Sequence, residues 1–107
     1  MHKKLFLLGI MIAGLNATAQ AANILDQIKK RGEVTMGVRE SSGGLSYSLG
    51  KNTYGGFHVD VCRAVLKDIQ KQLGLKELKI NYQPVTSQSR IDLVKSGTIQ
   101  MECGSTT

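Results

Sequence analysis

Carboxylates, cysteines and long apolar runs are all scarce in this chain. Eight Asp and Glu stand against fourteen Lys and Arg. No two carboxylates are spaced for acid–base work and no Ser-His-Asp set is present, so the commoner hydrolytic chemistries are not expected. There are two cysteines, Cys62 and Cys103, and two histidines, His2 and His58. His58 lies four residues before Cys62 with no further ligand nearby, so no metal site is expected and no cofactor is called for. Aromatic residues make up 5% of the chain and do not interleave with its cations. Its one basic run, Lys29-Lys30-Arg31, suits the negative end of a helix. Nucleic acid is therefore not an expected partner.

One apolar run is present, and it comes first. His2, Lys3 and Lys4 precede residues 5–13, a stretch of leader length that is too short to anchor in a bilayer. Ala19-Gln20-Ala21 has the form of a leader-cleavage site. The expected domain organisation is thus a signal peptide over residues 1–21 and a mature segment over 22–107. Loss of Lys3 and Lys4 leaves twelve cations against eight acids, a net charge of +4. No second run reaches spanning length, so the mature segment is expected to be soluble and exported. Export permits a Cys62–Cys103 bridge. The simpler reading of Cys62, on the apolar face of a helix, is a buried thiol, and Cys103 could pair elsewhere.

The mature segment alternates helix and strand. Ile24–Lys30 is helical in spacing and Gly32 ends it. Glu33–Arg39 reads as a strand, and Ser41–Gly56 as a hairpin or long loop around Gly50-Lys51-Asn52. Phe57–Leu73 is the strongest helix, with Val61, Cys62, Val65, Leu66, Ile69 and Leu73 as its apolar stripe and Gly74 as its stop. Leu78–Val85 alternates as a strand. Thr86 or Ser87 then caps a short helix with Ile91, Leu93 and Val94 facing inward, and Thr98–Met101 forms a last strand. Three core strands alternating with helices imply an α/β fold with a parallel sheet.

Ligands in such sheets sit beyond the carboxyl ends of the strands. Three polar segments fall there: Arg39-Glu40-Ser41-Ser42, Thr86-Ser87-Gln88-Ser89-Arg90 and Gly104-Ser105-Thr106-Thr107. They bring two guanidinium groups, several hydroxyls and the N–H groups of a helix start, a combination suited to a small anion. Glu40 and Glu102 could accept from an ammonium group, but pairing with Arg or Lys is the simpler expectation. Taken singly, each Ser or Thr is an ordinary cap and each Arg an ordinary surface residue. Their coincidence at three strand ends is what points to a site.

Three motifs in order, Gly37-Val38-Arg39-Glu40-Ser41-Ser42, Pro84-Val85-Thr86-Ser87-Gln88-Ser89-Arg90-Ile91 and Glu102-Cys103-Gly104-Ser105-Thr106-Thr107, resemble the periplasmic glutamate/aspartate-binding proteins of bacterial ABC transporters. These are family 3 solute-binding proteins with the type II periplasmic-binding fold. The resemblance implies the first part of the first of two lobes, and a monomer that closes on L-glutamate or L-aspartate and delivers it to a membrane permease. It implies that Arg39, Ser87 and Arg90 read the ligand's side-chain carboxylate, and that Ser105 and Thr107 contact its α-amino and α-carboxylate ends. Relatives of well over two hundred residues are implied, so the sequence is expected to be an N-terminal piece, not competent alone. The family's main α-carboxylate arginine and the acidic residue for the α-ammonium would both lie beyond it. Where many relatives have a Pro-aromatic pair, Gly43-Gly44-Leu45 stands here, which alters the wall of the site rather than its charge. Two other classes remain open from the residues: a dehydratase-like enzyme on the same fold, and a small exported protein clamped by Cys62–Cys103.

Overall fold

A computed structural model describes residues 23–105; the expected leader and Thr106 and Thr107 lie outside the described residues. Helix α1 spans residues 23–31 and ends at Gly32, whose φ of 67° and N–H bond to the Ile28 carbonyl at 2.8 Å turn the chain into the sheet. Strand β1 is Glu33–Val38. A single 3-10 turn, Gly43–Leu45, leads to the hairpin strands β2, Tyr47–Gly50, and β3, Thr53–Gly55. Lys51 and Asn52 between them both have positive φ, 54° and 57°, the two-residue turn whose twist matches a hairpin. Helix α2 follows at Phe57–Gln72, then β4 at Lys79–Pro84, helix α3 at Arg90–Lys95 and β5 at Met101–Cys103.

The main sheet has the order β4-β1-β5 and is parallel throughout. Two helical crossovers produce it: α2 between β1 and β4, and α3 between β4 and β5. The register pairs Val38 with Pro84 on one side and with Cys103 on the other. All three strands therefore finish on one line, and their following loops leave side by side. The chain first lays β4 on one side of β1 and then β5 on the other. The switch in strand order, where such sheets open a crevice, falls at the end of β1.

β1 is buried from both faces. Val34, Met36 and Val38 point into the core with Ile28, Tyr54, Val59 and Leu66. On the opposite face Gly37 leaves room for Ile99 and Val85, whose side chains would crowd a Cβ at 2.7 and 3.0 Å. The α2 seam runs Val59, Cys62, Leu66, Ile69 and Leu73, alternating steps of three and four. Val61 and Val65, expected on this seam, are exposed. They sit one position off it, so Val59 takes the buried place.

Two other expectations are corrected near the end of the chain. Ile91 and Val94, expected to face inward, are 58% and 43% exposed, whereas Arg90 is 7% exposed. Ile99, in the loop after α3, fills the space over Gly37 that the helix's own apolar residues would otherwise take. The last strand begins at Met101 rather than Thr98. Gln100 explains the slip: its side-chain Oε1 accepts the Thr35 N–H at 2.7 Å while its own N–H donates to the Thr35 carbonyl at 3.0 Å. Side chain and backbone of one residue together occupy the Thr35 ladder position.

Cys62 of α2 and Cys103 of β5 form a disulfide, with Cα atoms 6.4 Å apart, so the buried-thiol reading of Cys62 does not hold. The bridge spans 41 residues and ties the end of β5 to the helix packed over β1. Closing a loop of that length restricts the unfolded chain by about 4 kcal/mol in the chain-entropy treatment. Cys103→Ser should lower the free energy of unfolding by roughly 2–4 kcal/mol, read from urea midpoints under oxidising conditions; an unchanged midpoint would rule out a stabilising bridge.

Candidate functional site

A cleft of about 320 Å³ opens at the carboxyl ends of β1 and β4. Arg39, Glu40 and Ser41 line it from the first strand-end segment, and Thr86, Ser87 and Gln88 from the second, together with Pro84 and Val85. The sheet positions both sides. Val85 N–H donates to the Val38 carbonyl at 2.8 Å, extending the ladder one residue past β4 before the chain turns away. Arg39 is the first residue past β1, and its Cγ lies where a Cβ at Gly104 would meet it at 3.4 Å. The first loop thus leans on the third.

The second segment is wound by its own side chains. Thr86 N–H donates to Ser89 Oγ at 2.9 Å and Ser89 N–H donates to Thr86 Oγ1 at 3.1 Å, a reciprocal cap in miniature. Thr86 is therefore the expected capping residue that acts as one. Ser87 is exposed and has no hydrogen-bond partner among the described residues, so its hydroxyl is available to the cleft. Helix α3 has only six residues, less than two turns, so the donors at this end are local groups rather than the end of a long dipole.

Arg90 has a different position from Arg39 and Ser87. It does not line their cleft; its Nη1 donates to the Ser105 carbonyl at 2.6 Å. It borders a second cavity of about 230 Å³ with Ile91, Val94, Lys95 and Glu102. The five expected site residues therefore fall into two pairs and a remainder: Arg39 with Ser87 across a cleft, Arg90 with Ser105 through a hydrogen bond, and Thr107 outside the described residues. Of the other cleft-lining residues, Glu40 was expected as an ammonium acceptor or ion-pair partner and Thr86 as a cap, whereas Gln88 was grouped with its segment without a role. Ser46, which holds Arg39 by its carbonyl, gave no sequence signal, being one serine in a Gly/Ser-rich stretch.

The charges are sparsely paired. Arg63 with Asp60 is the one ion pair among the described residues, at 3.5 Å. Among the described residues Glu40 and Glu102, expected to pair with Arg or Lys, do not, and Glu102 Oε1 is buried without a hydrogen-bond partner there. The hairpin is held by Arg63, whose Nη2 donates to the Tyr54 carbonyl at 2.8 Å while its Nε donates to the Tyr82 hydroxyl at 2.9 Å. Burial raises the Tyr54 phenol above its ordinary pKa of 10.0, and the Glu40 carboxylate adds to the rise.

The chain matches the family of bacterial extracellular solute-binding proteins, family 3, over residues 34–107. It belongs to that family. It is 44% identical over 86 residues to the L-glutamate/L-aspartate-binding protein of Pseudomonas aeruginosa, covering 78% of this chain and 28% of that protein. It is 38% identical over 92 residues to the glutamate/aspartate import solute-binding protein of Escherichia coli K12, covering 86% of this chain and 30% of that one. The chain thus spans about three-tenths of the length of these curated relatives. Among solved structures, an ancestral amino acid-binding protein that is a precursor of cyclohexadienyl dehydratase matches 70% of this chain and 30% of its own, at 25% identity and a TM-score of 0.58. The cysteine-binding protein of Campylobacter jejuni matches the same 70%, at 22% identity and a TM-score of 0.58, a likeness of fold. The parallel α/β sheet is therefore part of a periplasmic amino-acid-binding fold, and the family is one of solute-binding proteins.

The Tyr54 environment has a pH consequence. A phenol whose pKa is raised on folding favours the folded state in its protonated form. Its contribution is complete below the unfolded value near 10.0 and is lost as pH rises through the folded value. Phenolate absorbance should show one tyrosine ionising late, and Tyr54→Phe should remove that step and flatten the alkaline decline in stability. A titration unaltered by Tyr54→Phe would contradict this.

Proposed function

We propose that this chain contributes the anion-reading side of an exported receptor for acidic amino acids, glutamate and aspartate, that feeds an ABC-type importer through its membrane permease. The supporting observation is the pairing of Arg39 with the Ser87 hydroxyl across one cleft at the level ends of β1 and β4. A guanidinium offers a planar fork to a carboxylate, and a hydroxyl supplies a further donor. Two similar proteins whose names specify glutamate and aspartate support the choice of ligand. Arg90 contributes twice in this reading: Nη1 fixes the third loop at Ser105, and the rest of the guanidinium adds positive charge beside it. Ser105 and Thr107 belong to the contacts with the ligand's α-amino and α-carboxylate ends.

In this reading residues 1–21 are a leader and 22–107 form part of the first lobe. The mature exported protein should begin at Ala22, which N-terminal sequencing of the periplasmic fraction tests directly; an intact Met1 on exported protein would remove the leader assignment.

Binding is tested by calorimetry with glutamate, aspartate and glutamine. The samples are this chain and a chimera carrying its residues 34–107 in place of the matching segment of the Pseudomonas relative. Glutamate and aspartate should bind the chimera well ahead of glutamine. Arg39→Ala should weaken both acids by roughly ten- to a hundredfold, the range for a hydrogen bond to a charged group. Equal affinity for glutamine would defeat the acidic-ligand reading.

A further inference from the structure

Two polar side chains are buried among the described residues, Arg90 and Ser46, and Ser46 is 0% exposed. A hydroxyl taken fully out of water needs a partner. The Ser46 hydroxyl donates to the main-chain carbonyl of Arg39 at 2.6 Å. Arg39 lines the cleft, and it stands just past the last ladder position of β1. The sheet sets the backbone up to Val38, and the hairpin adds this bond one residue further on.

Two further hydrogen bonds fix the same alignment. Ser42 N–H donates to the Ser46 carbonyl at 2.8 Å and Ser48 N–H donates to the Glu40 carbonyl at 3.3 Å, which together make the antiparallel bridge between Ser41 and Tyr47. The start of β2 thus runs back along the segment leaving β1. Gly56 makes the close fit feasible on the far side of the hairpin. Its φ is 120°, and a Cβ there would collide with the Leu45 carbonyl and come within 2.8 Å of the Ser46 nitrogen.

We propose that Ser46 is a positioning residue for Arg39: through the Arg39 carbonyl it holds the hairpin β2–β3 against the first strand-end loop and aims the guanidinium into the cleft. This rests on the reading of the cleft as a site for an acidic amino acid and adds how that site is kept in shape. Ser46 touches no ligand in this account. Its effect on affinity passes through Arg39 and so is selective for the guest's side-chain carboxylate.

The test is an amide-shift NMR titration, with glutamate and separately with glutamine, of the isotope-labelled chimera in which residues 34–107 of this chain replace the matching segment of the Pseudomonas relative; the chimera without further substitution is the wild type here. Wild type should prefer glutamate. Ser46→Ala and Arg39→Ala should each lower that preference by about tenfold, with glutamine binding little changed. Ser48→Ala, whose hydroxyl only accepts the Gly50 N–H at 3.2 Å, should leave the preference intact. If Ser46→Ala weakens both ligands equally, or neither, the positioning role is overturned and the anion reading stands. If wild type shows no preference for glutamate, both are overturned. Should Ser46→Ala not fold, wild type alone decides: saturating glutamate should slow hydrogen exchange at the Ser42 and Ser48 amides more than at Gly50 in the same hairpin, and uniform slowing overturns the proposal.

Discussion

The position of β1 between its two neighbours governs everything else in the fold. Because Val38 pairs with both Pro84 and Cys103, three strands stop on one line and three loops emerge together. The arrangement requires β1 to be buried from both faces. Alternation supplies Val34, Met36 and Val38 to one face, and the missing side chain of Gly37 admits Ile99 and Val85 to the other. A larger residue at position 37 would push Ile99 outward, disturb the approach to β5, and break the level ends on which the proposed site depends. The Cys62–Cys103 bridge reinforces the same point from the helical layer, holding the last residue of β5 to α2.

Much of this was legible in the sequence because it follows from periodicities of two and of 3.6. Helix Phe57–Gln72 ends within a residue of its expected limit, and the hairpin turns at the residues flagged by Gly50-Lys51-Asn52. Two of the failures have a common physical cause, competition for one place by two groups. Gln100 satisfies Thr35 with its side chain and its backbone, so the ladder begins three residues late. Ile99 fills the space over Gly37, and Ile91 and Val94 lie at the surface. Both contests turn on β1, distant in sequence, so no local pattern decides them. Val61 and Val65 are a separate case: they lie one position off the seam that Val59 begins. The candidate site divides the same way. That Arg39 and Ser87 line one cleft follows from their place at strand ends, whereas the bond from Arg90 to Ser105, fifteen residues away, depends on the assembled sheet.

The two buried polar side chains have parallel uses. Ser46 donates to the carbonyl of Arg39 in the first loop, and Arg90 donates to the carbonyl of Ser105 in the third. Each closes a hydrogen bond that the sheet cannot make, because its strands have already ended. Loops at strand ends are ordinarily the mobile part of an α/β fold. Here a side chain from outside each loop replaces the missing ladder partner, which favours a preformed geometry over one assembled around the ligand.

The two devices differ in cost, and the difference bears on ligand charge. A buried hydroxyl with one good acceptor is fully accommodated. A guanidinium 7% exposed, bonded to a neutral carbonyl and without an ion-pair partner among the described residues, is not. Removing a cation from water is unfavourable unless an opposite charge lies close. Glu102 shares a cavity with Arg90 but forms no ion pair with it among the described residues. An anion entering beside Arg39 and the loop that Arg90 holds would gain from both guanidinium fields at once. A neutral guest of the same shape would gain from neither and would still displace water. On the proposed reading, that unbalanced cation is an electrostatic ground for favouring an acidic guest over a neutral one of the same shape, with charge weighing more than size.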